Sequence, residues 1–476
     1  MRRRSSAVWM AAMLVALTTA SCSNSHGGGS SNGTAKPLLS GFNASSDMPA
    51  VTFLREEEVW SSIEYGVATA FRNVDQDTYN IHFDSLLPGD MTTACNGDVN
   101  KNGVKDTNEC TRVATQAVNA LDGHEYIVAL LGHYDALSLR VYDDTPHVFD
   151  NVTTDGNGID TNLQVQVFNW SSTLGSVDVY IEPPGTSLSV TQAKATLAQG
   201  DEFNGLVDSG TYVLTLTPVG NPAAPVYTSE NFALTQQTRV GFALLDGTSD
   251  LTTSVRVSRF RDQGGDLLDR RAPTLMRAAH VAPSTANVDV FAQENYTAPL
   301  YPNVALNQQS AYTMLDPTWL SALELDVTPA GNPGVLLARD QLALAQGERS
   351  TFFLVQTPTA GVNGINGADN ARRLAPYAQL RPVNSFGSSL DFYVIPHGNN
   401  VFTSTPTQTL STASIGGFAP LAPGSYDIIV ARAGTDTFVY GPTQVDLAGN
   451  GIYTIVAVPT AQITSANLLL LDDFTQ

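Results

Sequence analysis

The sequence predicts an all-β protein: four tandem β-sandwiches behind an export signal and a flexible tether. Three observations predict it. A strand-like signature returns as SVDVYIEP around Asp178, NVDVFAQE around Asp289 and SLDFYVIP around Asp391, at intervals of 111 and 102 residues. A second signature, LTLTPVGNP around Thr217 and LDVTPAGNP around Thr328, keeps the interval of 111, and Ala431 in IIVARAGT follows 103 later. Within each copy, apolar and polar residues alternate with period two. Val177, Val179 and Ile181 face one way and Asp178, Tyr180 and Glu182 the other; Tyr212, Leu214 and Leu216 alternate likewise, as do Tyr453, Ile455 and Ala457. Two signatures keeping one offset mark a supersecondary unit copied along the chain.

The elements follow in chain order. Residues 1–21 read as an export signal: the charged start MRRR, then the apolar stretch AVWMAAMLVALTTA, then Ser21. That stretch is shorter than the roughly 20 residues that a membrane span needs. Thr19-Ala20-Ser21-Cys22 resembles the lipobox of bacterial lipoproteins, although Thr19 stands where Leu is usual. The resemblance implies acylation of Cys22, and Ser23-Asn24 behind it favours the outer membrane or cell surface. The alternative is an ordinary cleaved signal with an incidental cysteine. Residues 22–48, opening with SNSHGGGSSNGTAKP, read as a tether that buries nothing.

The repeats are placed at 49–150, 151–265, 272–362 and 374–476, the first being degenerate, with TYNIHFDS around Asn80 as its faint signature 98 residues before Asp178. Turn dipeptides punctuate them: Asp122-Gly123, Asp246-Gly247, Asn221-Pro222, Asn332-Pro333 and Pro423-Gly424. A unit of about 100 residues with short alternating strands has the size and rhythm of an immunoglobulin-like β-sandwich. The Cys…Trp…Cys spacing of true immunoglobulin domains is missing. Asp178, Asp289 and Asp391 are expected on solvent faces of their strands. The arginine pairs of DRRAP, ending at Pro273, and ARRLAP, ending at Pro376, mark the junctions. They read as solvated or as partners of acids across the contact.

With these residues in view, the chain resembles the bacterial domain of unknown function 4397 family. The matching stretches are 165–183 with 210–222, 276–294 with 325–333, and more loosely 378–396 with 424–434. The resemblance implies tandem β-domains on an exported protein. It implies no catalytic residues.

Copy one holds the sharpest local motif, between Cys95 and Cys110. Asp98, Asn100, Asn102, Gly103 and Glu109 fit the calcium-loop pattern D-x-[DN]-x-[DN]-G-x5-E. Calcium takes six to eight oxygens. Asp98, Asn100 and Asn102 would supply side chains and Val104 its carbonyl, with Asp106 binding directly or through water and Glu109 with both oxygens. Lys105 and Pro88-Gly89 depart from an EF-hand, so the loop reads as an isolated extracellular one. With Cys22 assigned to lipid, Cys95 and Cys110 form one disulfide, as an oxidising compartment allows. The other reading is an acidic surface loop pinned by the disulfide alone. Asp155, Asn157 and Asp160 repeat half of the calcium pattern and read as a polar turn.

Charge narrows the partners. Removal of Arg2, Arg3 and Arg4 with the signal leaves 21 basic against 45 acidic side chains. So acidic a surface repels phosphate backbones and anionic lipid heads, which excludes nucleic acid. No histidine spacing fits a metal site, and Gly29-Ser30-Ser31-Asn32-Gly33 matches a nucleophile elbow only formally, inside the tether. The sequence therefore points to a non-catalytic, lipid-anchored envelope protein that binds or scaffolds, with an extracellular glycan or protein as partner. The alternative is an exported hydrolase of polysaccharide or peptide with an interdomain site.

Overall fold

The first strand, Leu38–Asn43, lies inside the stretch expected to be tether. The sequence LLSGFN looks like linker because of Ser40-Gly41, yet the strand is almost wholly buried. Gly41 is there for a close approach: a Cβ at this position would stand 2.2 Å from the ring of Phe53. The computed structural model describes residues 35–100, 102, 104–144, 162–235, 239–247, 255–262, 265–356, 361–370, 372–460 and 465–472. Cys22, Gly103, His147 and the 155–160 turn lie outside them. The described residues are all-β, in eight small sheets with three single-turn 3₁₀ helices.

One layout recurs along the chain. In the segment 38–144, Leu38–Asn43 pairs in parallel with Glu125–Leu131, while Val51–Arg55 pairs antiparallel with Asp77–Ser85 in a second sheet. The parallel pairing returns as Asn162–Asn169 with Arg239–Asp246, Leu275–His280 with Arg349–Gln356, and Ala378–Asn384 with Ile452–Pro459. Parallel neighbours need a long crossover, and here the intervening strands supply it by building the second sheet. Each pair of sheets encloses its own apolar cluster. In the second segment this holds Val165 and Val167 from one sheet against Val177, Val179, Ile181, Leu214 and Leu216 from the other, with Val240, Phe242 and Leu244 beside them. By this topology TYNIHFDS falls on the strand equivalent to Gly210–Pro218, and the counterpart of SVDVYIEP is Val51–Arg55. The Asn80 alignment is therefore corrected. The strands Gly265–Leu267 and Val362–Ala368 also extend the second and third units past 265 and 362.

The repeated signatures have a common physical cause. Asp178 stands directly across from Thr217, Asp289 from Thr328 and Asp391 from Ala431 in antiparallel register. Three residues further on, Gly220, Gly331 and Gly434 turn the chain at φ 71°, 73° and 71°. Their N–H groups donate to the aspartates at 2.7, 2.8 and 2.8 Å. The second carboxylate oxygen accepts from Thr196 Oγ1, Asn303 N–H and Thr409 Oγ1 respectively. All three aspartates are buried, contrary to the solvent-face expectation, because the hydrogen bonds to the turn repay their desolvation. Asp289→Ala should cost about 1.5–3 kcal/mol, the worth of hydrogen bonds to a charged group. Urea unfolding would measure it, and Asp289→Asn should retain part of the loss.

Alternation holds for inner faces only. Glu125–Leu131 and Arg349–Gln356 are buried on both faces, and Ile452–Pro459 nearly so. Their outer faces pack on the next unit. Phe42, Ala129, Leu131 and Tyr142 meet Phe168, Trp170, Ala243, Leu245 and Phe260. Ala279, Val281, Phe353 and Val355 meet Val383, Val456, Val458 and Leu471. The chain also folds back on itself. Ala375 N–H donates to Asp47 O at 2.9 Å, Tyr377 Oη to Leu86 O at 2.8 Å, and Arg372 Nε to Ser46 O at 2.9 Å. The guanidinium groups of Arg372 and Arg256 both lie over the Tyr65 ring, at 5.0 and 4.9 Å from its centre. Arg372 is thus partly buried and binds backbone carbonyls and a ring.

Candidate functional site: the 95–110 loop

The loop is pinned at its neck. Cys95 and Cys110 are bonded, with Cα atoms 5.1 Å apart. Asp90 ties the chain entering the loop to the chain leaving it: it accepts Leu87 N–H at 2.9 Å and Thr111 N–H at 3.1 Å, and pairs with Lys105. Burial opposes its charge, but the hydrogen bonds from Lys105, Leu87 and Thr111 hold its carboxyl below the usual range. Lys105, which departs from the EF-hand pattern, has this acid as its reason.

Inside the loop the residues expected as ligands are linked by hydrogen bonds. Asn102 N–H donates to Asp98 Oδ1 at 3.2 Å and Asn100 Oδ1 at 3.0 Å, and Val104 N–H to Asn102 Oδ1 at 2.7 Å. Glu109, buried at the base, accepts Val99 N–H and Asp106 N–H, both at 3.0 Å. The amide nitrogens of Asn100 and Asn102 turn onto Asp106 Oδ2. Hydrogen bonds thus tie Asp98 and Asn100 to Asn102, Asn100 and Asn102 to Asp106, and Val99 and Asp106 to Glu109, while Val104 joins through its N–H. The donor set is hard oxygen throughout, as calcium prefers. The described acidic trio whose oxygens all lie within 4.8 Å of one another is elsewhere: Glu294, Glu324 and Asp326. There Arg339 reaches all three, at 2.8, 3.2 and 2.7 Å, so that cluster already has its cation.

The loop rests on a charged hub that the sequence did not reveal. Glu57 accepts Asp98 N–H at 2.7 Å and both Arg112 Nη groups at 2.9 and 2.8 Å, while Arg112 Nε reaches Asp84 at 2.9 Å. The hydrogen bond from Arg112, ahead of the Asp98 N–H, holds the Glu57 carboxyl low, whereas burial pushes Asp84 up against the pull of Arg112. His82 sits 3.8 Å from Glu57, and burial, then Arg112, lowers its pKa. These partners lie 41 and 55 residues apart in sequence, so no local spacing marks them.

The histidine gives a signed pH effect. Unfolded His82 takes up a proton near pH 6.5, and folded His82 only at lower pH. Between the two, the unfolded chain binds more protons, so stability falls as pH drops below about 6.5. His82→Gln should flatten the fall in melting temperature between roughly pH 6.5 and 5. An unchanged slope would rule out this residue as its source.

No family model matches the chain, and no curated protein matches it. Among solved structures it is similar to the Bacillus anthracis TIE protein, at 9% identity and a TM-score of 0.14, over 85% of this chain and 65% of that one. The chain thus spans just under two thirds of that protein, and a likeness at this level carries no argument.

Proposed function

We propose that this chain is a non-catalytic cell-envelope lipoprotein acting as a surface binding and scaffolding body. It is exported by residues 1–21, acylated at Cys22, and carried at the outer membrane or cell surface. Its body is four tandem immunoglobulin-like sandwiches of the domain of unknown function 4397 type. The observation that supports this reading best is the stacking of outer sheet faces. The same strand of each unit, with its parallel partner, is committed to a neighbouring unit through closely packed apolar side chains. Such packing makes a stiff body that presents surfaces instead of one that flexes around a cleft. Radioactive palmitate should label the chain and fail to label Cys22→Ala. A purified chain that shortens a polysaccharide or peptide would overturn the non-catalytic assignment.

Calcium belongs to the same proposal, held by Asp98, Asn100, Asn102, Asp106 and Glu109 with the Val104 carbonyl. With Kd on the order of 10⁻⁴–10⁻³ M, as in extracellular modules, about 10 mM calcium adds roughly 1.4–2.7 kcal/mol to folding. Melting temperature should rise with calcium and fall with chelator, and Asp98→Ala with Glu109→Ala should abolish the response. An identical curve with chelator would remove the ion from the reading.

A further inference from the structure

The repeated strand signature carries an aromatic residue two positions after the aspartate, on the sheet face turned away from the core: Tyr180, Phe291 and Tyr393. In the second and third units that ring is sealed, at 4% and 2% exposure. In the fourth it is only partly covered, and the same unit carries two more exposed rings. Phe402 is 67% exposed and Phe438 37%, with ring centroids 5.7 Å apart. Phe438 opposes Ala431 on the neighbouring strand, and Ala431 in turn opposes Asp391, which places the pair on the outer face of this sheet.

Phe402 is held there by design of the turn. The 3₁₀ turn Val401–Thr403 begins ten residues after Asp391, and its counterpart Leu188–Val190 begins ten after Asp178. Asn400 caps it, accepting Phe402 N–H at 3.0 Å, and Thr403 and Ser404 donate back to Asn400 O. Ser189 stands at the place of Phe402 in the second unit. Single exposed apolar residues are ordinary; a phenyl ring on a capped turn, where a sister copy has serine, in contact with a second exposed ring on a strand, is not.

We infer that Phe402 and Phe438 form a docking platform for an uncharged polysaccharide chain, a reading that deepens the surface-binding function proposed above and rests on it. Flat aromatic faces offer sugar rings an apolar surface of matching size, and an open sheet suits a polymer better than a small solute in a cleft. The rim supplies hydrogen-bonding groups for hydroxyls: Asn399, Asn400 and Thr437 are exposed, and Asp427 is fixed by His397 Nδ1 at 2.8 Å and Gly398 N–H at 3.1 Å. Charge selects among glycans. Asp427 and Asp436 at this rim, on a chain with formal net charge −21, repel sulfated and uronic polymers.

The test is native gel affinity electrophoresis of the full chain in gels containing hydroxyethylcellulose, glucomannan or xyloglucan, with alginate as the anionic comparison. Retardation by at least one neutral polymer and none by alginate is expected. Phe402→Ser, the residue of the second unit, should weaken retention about tenfold, and Phe402→Trp should keep it. An unchanged melting temperature will show that Phe402→Ser still folds. Three outcomes each overturn the platform: no retardation in any neutral gel, equal retardation of Phe402→Ser, or a change in oligomeric state as the sole effect of that substitution. Failure here with palmitate labelling intact leaves the lipoprotein reading standing. Retention accompanied by new polymer ends overturns the non-catalytic reading and leaves the platform.

Discussion

Trp170→Ala should lower the stability of the chain by about 3–5 kcal/mol, the range for deleting a buried aromatic side chain. Trp170 is 2% exposed and lies between two units, belonging to neither inner core. Its ring meets Phe42 at 4.5 Å, Phe168 at 4.8 Å, Tyr142 at 5.6 Å and Phe260 at 6.0 Å. Phe42 and Tyr142 come from the first segment, Phe168 and Phe260 from the second. Removing the indole opens a cavity at the joint that rigid sheets on either side cannot close. Urea unfolding followed by circular dichroism would give the loss. The pattern of the loss also matters: the first two units should come apart or unfold ahead of the last two, which limited proteolysis would detect. A variant that melts with the wild type would mean that the stacked faces add nothing to stability.

Asp369→Ala should be as severe, about 3–5 kcal/mol, for an electrostatic reason. The Asp369 side chain is fully buried between the third and fourth units, and Arg277 and Arg381 are 3% and 1% exposed beside it. Arg381 bonds Asp369 Oδ1, while Asp369 Oδ2 accepts Thr351 Oγ1 at 2.7 Å and Tyr312 Oη at 2.6 Å. Arg277 Nε donates to the same Thr351 hydroxyl at 2.8 Å, and its guanidinium lies 4.7 Å from the Tyr312 ring centre. Without the carboxylate, two buried guanidinium groups lose the counter-charge that lies between them. Replacing these three by apolar residues of similar volume, with Arg277→Met, Asp369→Leu and Arg381→Met, should restore most of the stability, because the two guanidinium groups and the carboxylate then no longer need desolvation. A triple variant as unstable as Asp369→Ala would show that packing, not charge, sets the cost.

Both predictions sit at places that pattern reading misses, and for related reasons. The run Glu125-Tyr-Ile-Val-Ala-Leu-Leu131 shows no alternation, and neither does Thr351-Phe-Phe-Leu-Val355; such runs are the mark of strands covered on both faces. That signal was present, but it says only that something covers the outer face, not what. Arg277 and Arg381 occupy equivalent places in their repeats, three residues before His280 and Asn384, and the sequence is silent about their shared acid. In the 95–110 loop the oxygen donors and the disulfide were readable from spacing, since both are local. Glu57, Asp84 and Arg112 were not, since they converge only once separate strands are paired. Leu38–Asn43 was missed because Ser-Gly composition imitates a tether when the ring that demands the glycine is twelve residues away at Phe53.

By itself, then, the order of residues determined the strands, their inner faces and the hundred-residue period, because side-chain alternation and turn chemistry act over a few neighbouring positions. It also determined the constant offset between the strands of Asp178, Asp289 and Asp391 and those of Thr217, Thr328 and Ala431. Tertiary structure alone decided which outer faces are buried, which aspartates are desolvated, and that the arginine of the third junction closes on Tyr65 of the first unit. Those outcomes depend on surfaces meeting across hundreds of residues. Burial is a property of the pair of surfaces, so neither one states it alone.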